Sequence, residues 1–264
     1  MEIYNRTPYI ITIIVLVVIV LGLGGFIGYD KLVKKDTETK VVTEIDDVSI
    51  NLNAFYQISN TLEKFDKAFN DQSSTYFGYP YKTKNLAVKN FDIKAALYAS
   101  IASDLVQTNT NQVISESQVK ANFEKMFGTS YIKYKADNID SGNVKLAYDA
   151  NSKSYSYTMP LKSKVYDSGY ISVNYKTQLE EDKVIVTRKI FYVDYTDTTL
   201  SAVNATIYKN SNKIEKLGQV TIKGGTANIK EVMGKYASKL DTYEFTFIAN
   251  TDEDYTLYKI ERVR

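Results

Sequence analysis

The sequence predicts an α+β protein with an N-terminal transmembrane helix, followed by helices packed on a mostly antiparallel sheet. Three observations predict it. Residues 7–29 carry no formal charge, apolar residues in 50–128 recur at three- and four-residue steps, and after Gly128 the period falls to two.

The apolar run comes first. It lies between Arg6 and Asp30, and residues 10–21 are almost continuously aliphatic. At about 1.5 Å per residue it would extend roughly 34 Å as a helix, enough for a hydrocarbon layer of about 30 Å. A cleaved signal peptide has a shorter apolar region, about 7–15 residues, with small residues at the cleavage point after it. The only such candidate, Gly22-Leu23-Gly24, sits inside the run, and the absence of cysteine excludes a lipid-modified one. The organisation we read is a flank at 1–6, a membrane span at 7–29, a stalk at 30–48 and a domain at 49–264. That domain has a helical part at 49–128 and a sheet-rich part at 129–264.

Orientation draws opposing signals. Lys31, Lys34 and Lys35 outweigh Arg6, which by the positive-inside rule puts the domain in the cytoplasm. The six-residue flank, the lack of cysteine and a body rich in Tyr, Asn, Ser and Thr favour the opposite side, and we expect an extracytoplasmic domain. Gly24 and Gly28 form a GxxxG spacing, through which a weak homodimer would form.

Within the domain, Phe55, Ile58, Leu62, Phe65 and Phe69 make one helical stripe. A second helix is expected over 90–106, with Phe91, Leu97, Tyr98, Ile101 and Leu105 inward. The third is the best marked. Ser115 and Gln118 form a capping box, Ile114 staples onto Val119, and Gly128 closes the helix. Strands are expected at 131–135, 144–148, 155–159, 170–179, 183–195, 203–209 and 216–223. A helix near 228–240 and a hairpin of 242–249 with 255–263 complete the chain.

Composition excludes much chemistry. There are 23 tyrosines and 11 phenylalanines but no cysteine, histidine or tryptophan. That removes thiolate nucleophiles, Ser-His-Asp triads, disulfides and the usual zinc sites. A net charge of +2, spread evenly, argues against nucleic acid as a partner. Ser117 and Lys120 match an S-x-x-K spacing, but no S-D-N or K-T-G element accompanies them, so Lys120 reads as a solvated helix residue. Residues 250–254 and Glu261 imitate a calcium loop superficially, yet Tyr255 stands where that loop needs glycine. The adjacent Glu180, Glu181 and Asp182 read as a turn, and no acidic residue sits in an obviously apolar setting. No catalytic, cofactor or metal residue is therefore assigned. The tyrosine surplus is expected to serve strands, rings packed and hydroxyls wet. One loop stands out: Tyr76, Phe77, Tyr79 and Tyr81 surround Gly78 and Pro80 between two helices, either a candidate partner-binding platform or a loop that folds back to cover the helix–sheet core.

Several stretches carry a resemblance: Phe-x-x-Met-Phe-Gly at 123–128, Tyr148-Asp149-Ala150-Asn151-Ser152-Lys153-Ser154-Tyr155, and Lys189-Ile190-Phe191-Tyr192-Val193-Asp194. With them the chain resembles uncharacterised single-pass, membrane-anchored extracytoplasmic proteins of low-GC Gram-positive bacteria. The order of helices before a curved antiparallel sheet is similar to NTF2-like domains. The resemblance implies no ligand and no catalytic residue. The expectation is a membrane-anchored, non-catalytic domain for binding or scaffolding, with an envelope protein or glycan as partner. An envelope enzyme using carboxylate or lysine chemistry on a wall polymer is the alternative, as is a cytoplasm-facing anchored domain.

Overall fold

The computed structural model describes residues 52–70, 85–140, 145–159, 168–195, 204–223, 226–251 and 254–263. The chain divides into two units, Met1–Val41 and Val42–Arg264, and every described residue belongs to the second. The 7–29 segment and the aromatic loop at 76–81 lie outside the described residues. Among the described residues no helix is long and apolar enough to cross a membrane. The architecture is α+β, and among the described residues all the strand pairings are antiparallel.

Helix α1 (Leu52–Asn70) buries Ala54, Ile58, Leu62, Phe65 and Ala68. Phe55, expected on this stripe, instead faces outward at 52% exposure. The buried line starts at Ala54, and a helical step of about 100° carries the next residue off it. Helix α2 (Ile93–Ile101) is shorter than the periodicity predicts. The Asp92 carboxylate caps it, accepting from the N–H groups of Lys94 (2.8 Å) and Ala95 (3.2 Å). The chain leaves the helix after Ile101, and Val106 is exposed. Residues 95–101 are all buried, so α2 is the innermost helix. Helix α3 (Glu116–Phe127) starts and stops where the sequence marks it. Ser115 Oγ accepts from the Gln118 N–H, and Gly128, at φ +66°, closes it with its N–H on the Glu124 carbonyl.

Two sheets follow. The larger contains β1 (Asn85–Ala87), β6 (Gly169–Glu180), β7 (Lys183–Asp194), β8 (Asn204–Tyr208), β9 (Lys216–Lys223), β10 (Thr226–Ala227), β11 (Asp241–Thr251) and β12 (Asp254–Arg262). Strand β7 is its spine. One edge pairs with β6 along most of its length; the other is shared between β11, opposite Lys183–Ile190, and β8, opposite Tyr192–Asp194. The smaller sheet orders β2 (Thr108–Ser115), β5 (Ser154–Met159), β4 (Lys145–Asp149) and β3 (Ile139–Asp140). The expected strand at 131–135 is not one. That stretch is irregular, although Ile132 and Tyr134 still pack on the core.

Two apolar clusters lie on opposite faces of the large sheet. Facing α1–α3, Phe65 meets Phe91, Phe127 and Phe245 edge-on, with centroids 6.1–6.3 Å apart. The other cluster joins Phe191, Val193 and Ile207 to Val232 of helix α4 (Ile229–Tyr236). Strand alternation assigns β7 residues to the two clusters by parity, Val184, Val186 and Ile190 to one and Phe191 and Val193 to the other. The tyrosines depart from expectation. Tyr155, Tyr170, Tyr192 and Tyr243 are buried and point inward, because the helices and the second sheet need large side chains to fill the space between layers.

Candidate functional site

The inward face of the large sheet changes character along β7. A row of Val186, Phe245 and Ile260 crosses β7, β11 and β12 beneath α1. The next but one residue on each strand makes a polar row: Asn174, Arg188, Tyr243 and Arg262. Beyond it stand Ser172, Ile190 and Asp241, then Tyr170 and Tyr192. Alternation alone puts Arg188 inward, because it shares the parity of Val184, Val186 and Ile190.

A guanidinium in such a position needs an anion, and α1 supplies one. Arg188 donates through Nη1 to Asp66 Oδ1 at 2.9 Å and through Nη2 to Asp66 Oδ2 at 2.7 Å. Its carbon centre stands 5.6 Å from the centroid of the Phe245 ring. Burial raises the Asp66 carboxyl above its ordinary value, against the pull of Arg188 and a hydrogen bond from Ser172. Asp66 is therefore the acidic residue in an apolar setting that the sequence did not reveal, since its surroundings come from distant strands.

A second ionic group closes the same end of the sheet. Asp241, almost fully buried, accepts from Arg262 Nη2 at 2.8 Å and lies 3.6 Å from Lys209 Nζ. Burial raises the Tyr243 hydroxyl above its ordinary value, with Asp241 adding to the shift and Arg262 opposing it. Tyr170 and Tyr192 meet edge-on at 5.2 Å, and the Tyr170 hydroxyl accepts the Ser211 N–H at 2.9 Å. Three cations and two carboxylates thus sit among tyrosine rings. Each carboxylate accepts from a guanidinium within the fold, so both are held in place by partners of this chain.

The site has a fixed relation to the aromatic loop's place in the chain. The described part of α1 ends at Asn70, one turn past Asp66, and β1 begins at Asn85, paired with Glu261 beside Arg262. Tyr76, Phe77, Tyr79 and Tyr81 themselves lie outside the described residues.

Two other polar clusters are structural ties. Lys64 donates to the Ser100 carbonyl at 2.8 Å and pairs with Asp104 at 3.3 Å, while Asn122 donates to the same carboxylate, joining α1, α2 and α3. Tyr148 donates to Glu116 at 2.6 Å, which pushes its hydroxyl up to about 12. Lys120 lies on the exposed side of α3, 3.8 Å from Glu124 and so paired along its own helix. Among the described residues no group of three or more metal-ligating side chains is assembled. Compared with protein-family models, with curated proteins and with solved structures, the chain matches none.

Proposed function

We propose that this chain is a single-pass membrane protein whose α+β domain stands on the extracytoplasmic side and binds an envelope partner. The observation that carries this is the uncharged run of residues 7–29, whose length suits a bilayer and exceeds a signal peptide's apolar core. The binding role is supported by the cluster of aromatic residues Tyr76, Phe77, Tyr79 and Tyr81 that follows α1 in the sequence. Hydroxyl-rich glycans and polar peptide segments are the ligand classes such a surface fits. A curved, NTF2-like sheet and a weak contact between copies through Gly24 and Gly28 belong to the same proposal, as does the kinship with Gram-positive surface proteins. The three lysines at 31, 34 and 35 favour the opposite orientation, so topology is the decisive measurement. Protease added to intact cells should degrade the domain while alkaline carbonate leaves the chain in the membrane. A domain fully protected until lysis would overturn the extracytoplasmic placement, and extraction by carbonate would overturn the anchor. Loss of partner binding in a Tyr79→Ala, Tyr81→Ala chain is the expected result for the loop; unchanged binding would remove it from the site.

A further inference from the structure

The first two turns of α1 present three large apolar side chains to solvent. Leu52, Phe55 and Tyr56 are 49%, 52% and 51% exposed, and they occupy the i, i+3 and i+4 positions that share one helix face. The Phe55 and Tyr56 rings lie 6.1 Å apart, edge to face. No charge interrupts this end of the helix: residues 52–62 are all neutral, and the first ionised side chain is Glu63. The patch is held rigidly. On the adjacent inward face the Gln57 side chain pairs with the Tyr255 backbone in both directions, donating to its carbonyl at 2.9 Å and accepting its N–H at 3.2 Å.

We infer that this patch rests on the lipid–water interface of the membrane that holds the chain, an inference that depends on residues 7–29 being the anchor. Chain length supports that occupant. Only 22 residues separate Tyr29 from Leu52. Even fully extended, 22 residues reach no further than about 75 Å, so the patch stays within reach of the bilayer surface. Tethering makes the contact intramolecular, so an interfacial preference counts for more than it would in a free domain. The chemistry matches as well. Aromatic residues settle at headgroup depth, leucine adds apolar area, and residues 52–62 carry no charge of their own.

The absence of tryptophan supplies the probe. The full-length chain carrying Phe55→Trp is reconstituted into phosphatidylcholine–phosphatidylglycerol vesicles with and without brominated acyl chains. The expected result is blue-shifted emission with bromolipid quenching, strongest for bromine placed nearest the headgroup. A chain with Val113→Trp, at a strand position 66% exposed, should show neither. Adding Leu52→Ser and Tyr56→Ser to the Phe55→Trp chain should remove most of the quenching without altering its far-ultraviolet circular dichroism. Carbonate extraction of the same vesicles reads the anchor separately. A chain that is released overturns the anchored reading and this inference with it. A retained chain whose Trp emission stays water-like overturns this inference alone. A blue shift without quenching, rising with protein density, would overturn it in favour of a second copy covering the patch.

Discussion

Arg188 and Asp66, 122 residues apart in the chain, meet in a two-pronged bond that fastens α1 to the spine of the large sheet. Arg188 is almost wholly buried and Asp66 about a quarter exposed. Desolvation outweighs the attraction at the carboxylate, since Asp66 is raised rather than lowered. The pair therefore acts mainly by fixing geometry. Asp66→Ala should cost about 3–5 kcal/mol, because it strands the guanidinium without its anion. Replacing both residues, as Asp66→Leu with Arg188→Met, should cost less than that single change. Urea unfolding of both variants checks this; a double variant at least as unstable as Asp66→Ala alone would mean the pair is a net source of stability.

Glu231 gives a pH signature on the other face. Its carboxylate accepts from Lys235 Nζ at 2.5 Å and from the Thr221 N–H and hydroxyl, each at 2.9 Å, and these hold it down to about 2. A folded value below the unfolded one stabilises the fold above the ordinary 4.5, and that contribution is lost as pH falls toward about 2. Wild type and Glu231→Gln should differ in thermal midpoint at neutral pH and converge on acidification through that window. A gap that stays constant with pH would show that the carboxylate's charge is not what joins α4 to β9.

Gly218 is required by contact and conformation together. It sits in β9 at φ +155°, opposite Ile207 where the β8–β9 register shifts, and a Cβ there would fall on the Tyr236 hydroxyl of α4. Gly218→Ala should destabilise by about 1–3 kcal/mol, the usual range for overpacking. Tyr236→Ala in the same chain should recover part of that loss. Recovery to the level of Tyr236→Ala alone would leave no backbone strain to explain.

The elements legible in the sequence are those whose signals are local. Ser115 and Gly128 bound α3 because a cap and a positive φ are properties of single residues. The turn at Glu180, Glu181 and Asp182 and the long strands on either side follow from alternation. Strand β2 escapes notice because its Thr-Asn-Thr-Asn-Gln start has no apolar alternation, and β1, β3 and β10 are too short to carry a period. The ionic site was invisible for another reason. Asp66, Arg188, Asp241 and Arg262 come together only through strand register and helix docking. The one local hint was the parity of Arg188 within an apolar strand. Phe55 is the converse case, since it fits the helical spacing yet lies one residue off the buried line.

The division of β7's edge also sets how the molecule comes apart. Strand β11 is joined to β7 by eight register pairs, whereas β8 is joined by three: Tyr192 with Tyr208, Val193 with Ile207 and Asp194 with Thr206. β8, β9, β10 and α4 therefore form a flap joined to the sheet through the last three residues of β7 and through one apolar cluster, in which Val220, Ala227 and Val232 lie with Phe191 and Val193 of β7. Such a flap opens as a unit before the rest of the sheet yields, so its amides should exchange with solvent together and earlier than those between β7 and β11. Mild destabilisation should therefore free this flap first and leave the helix-covered face, with its arginine–aspartate clasp, in place.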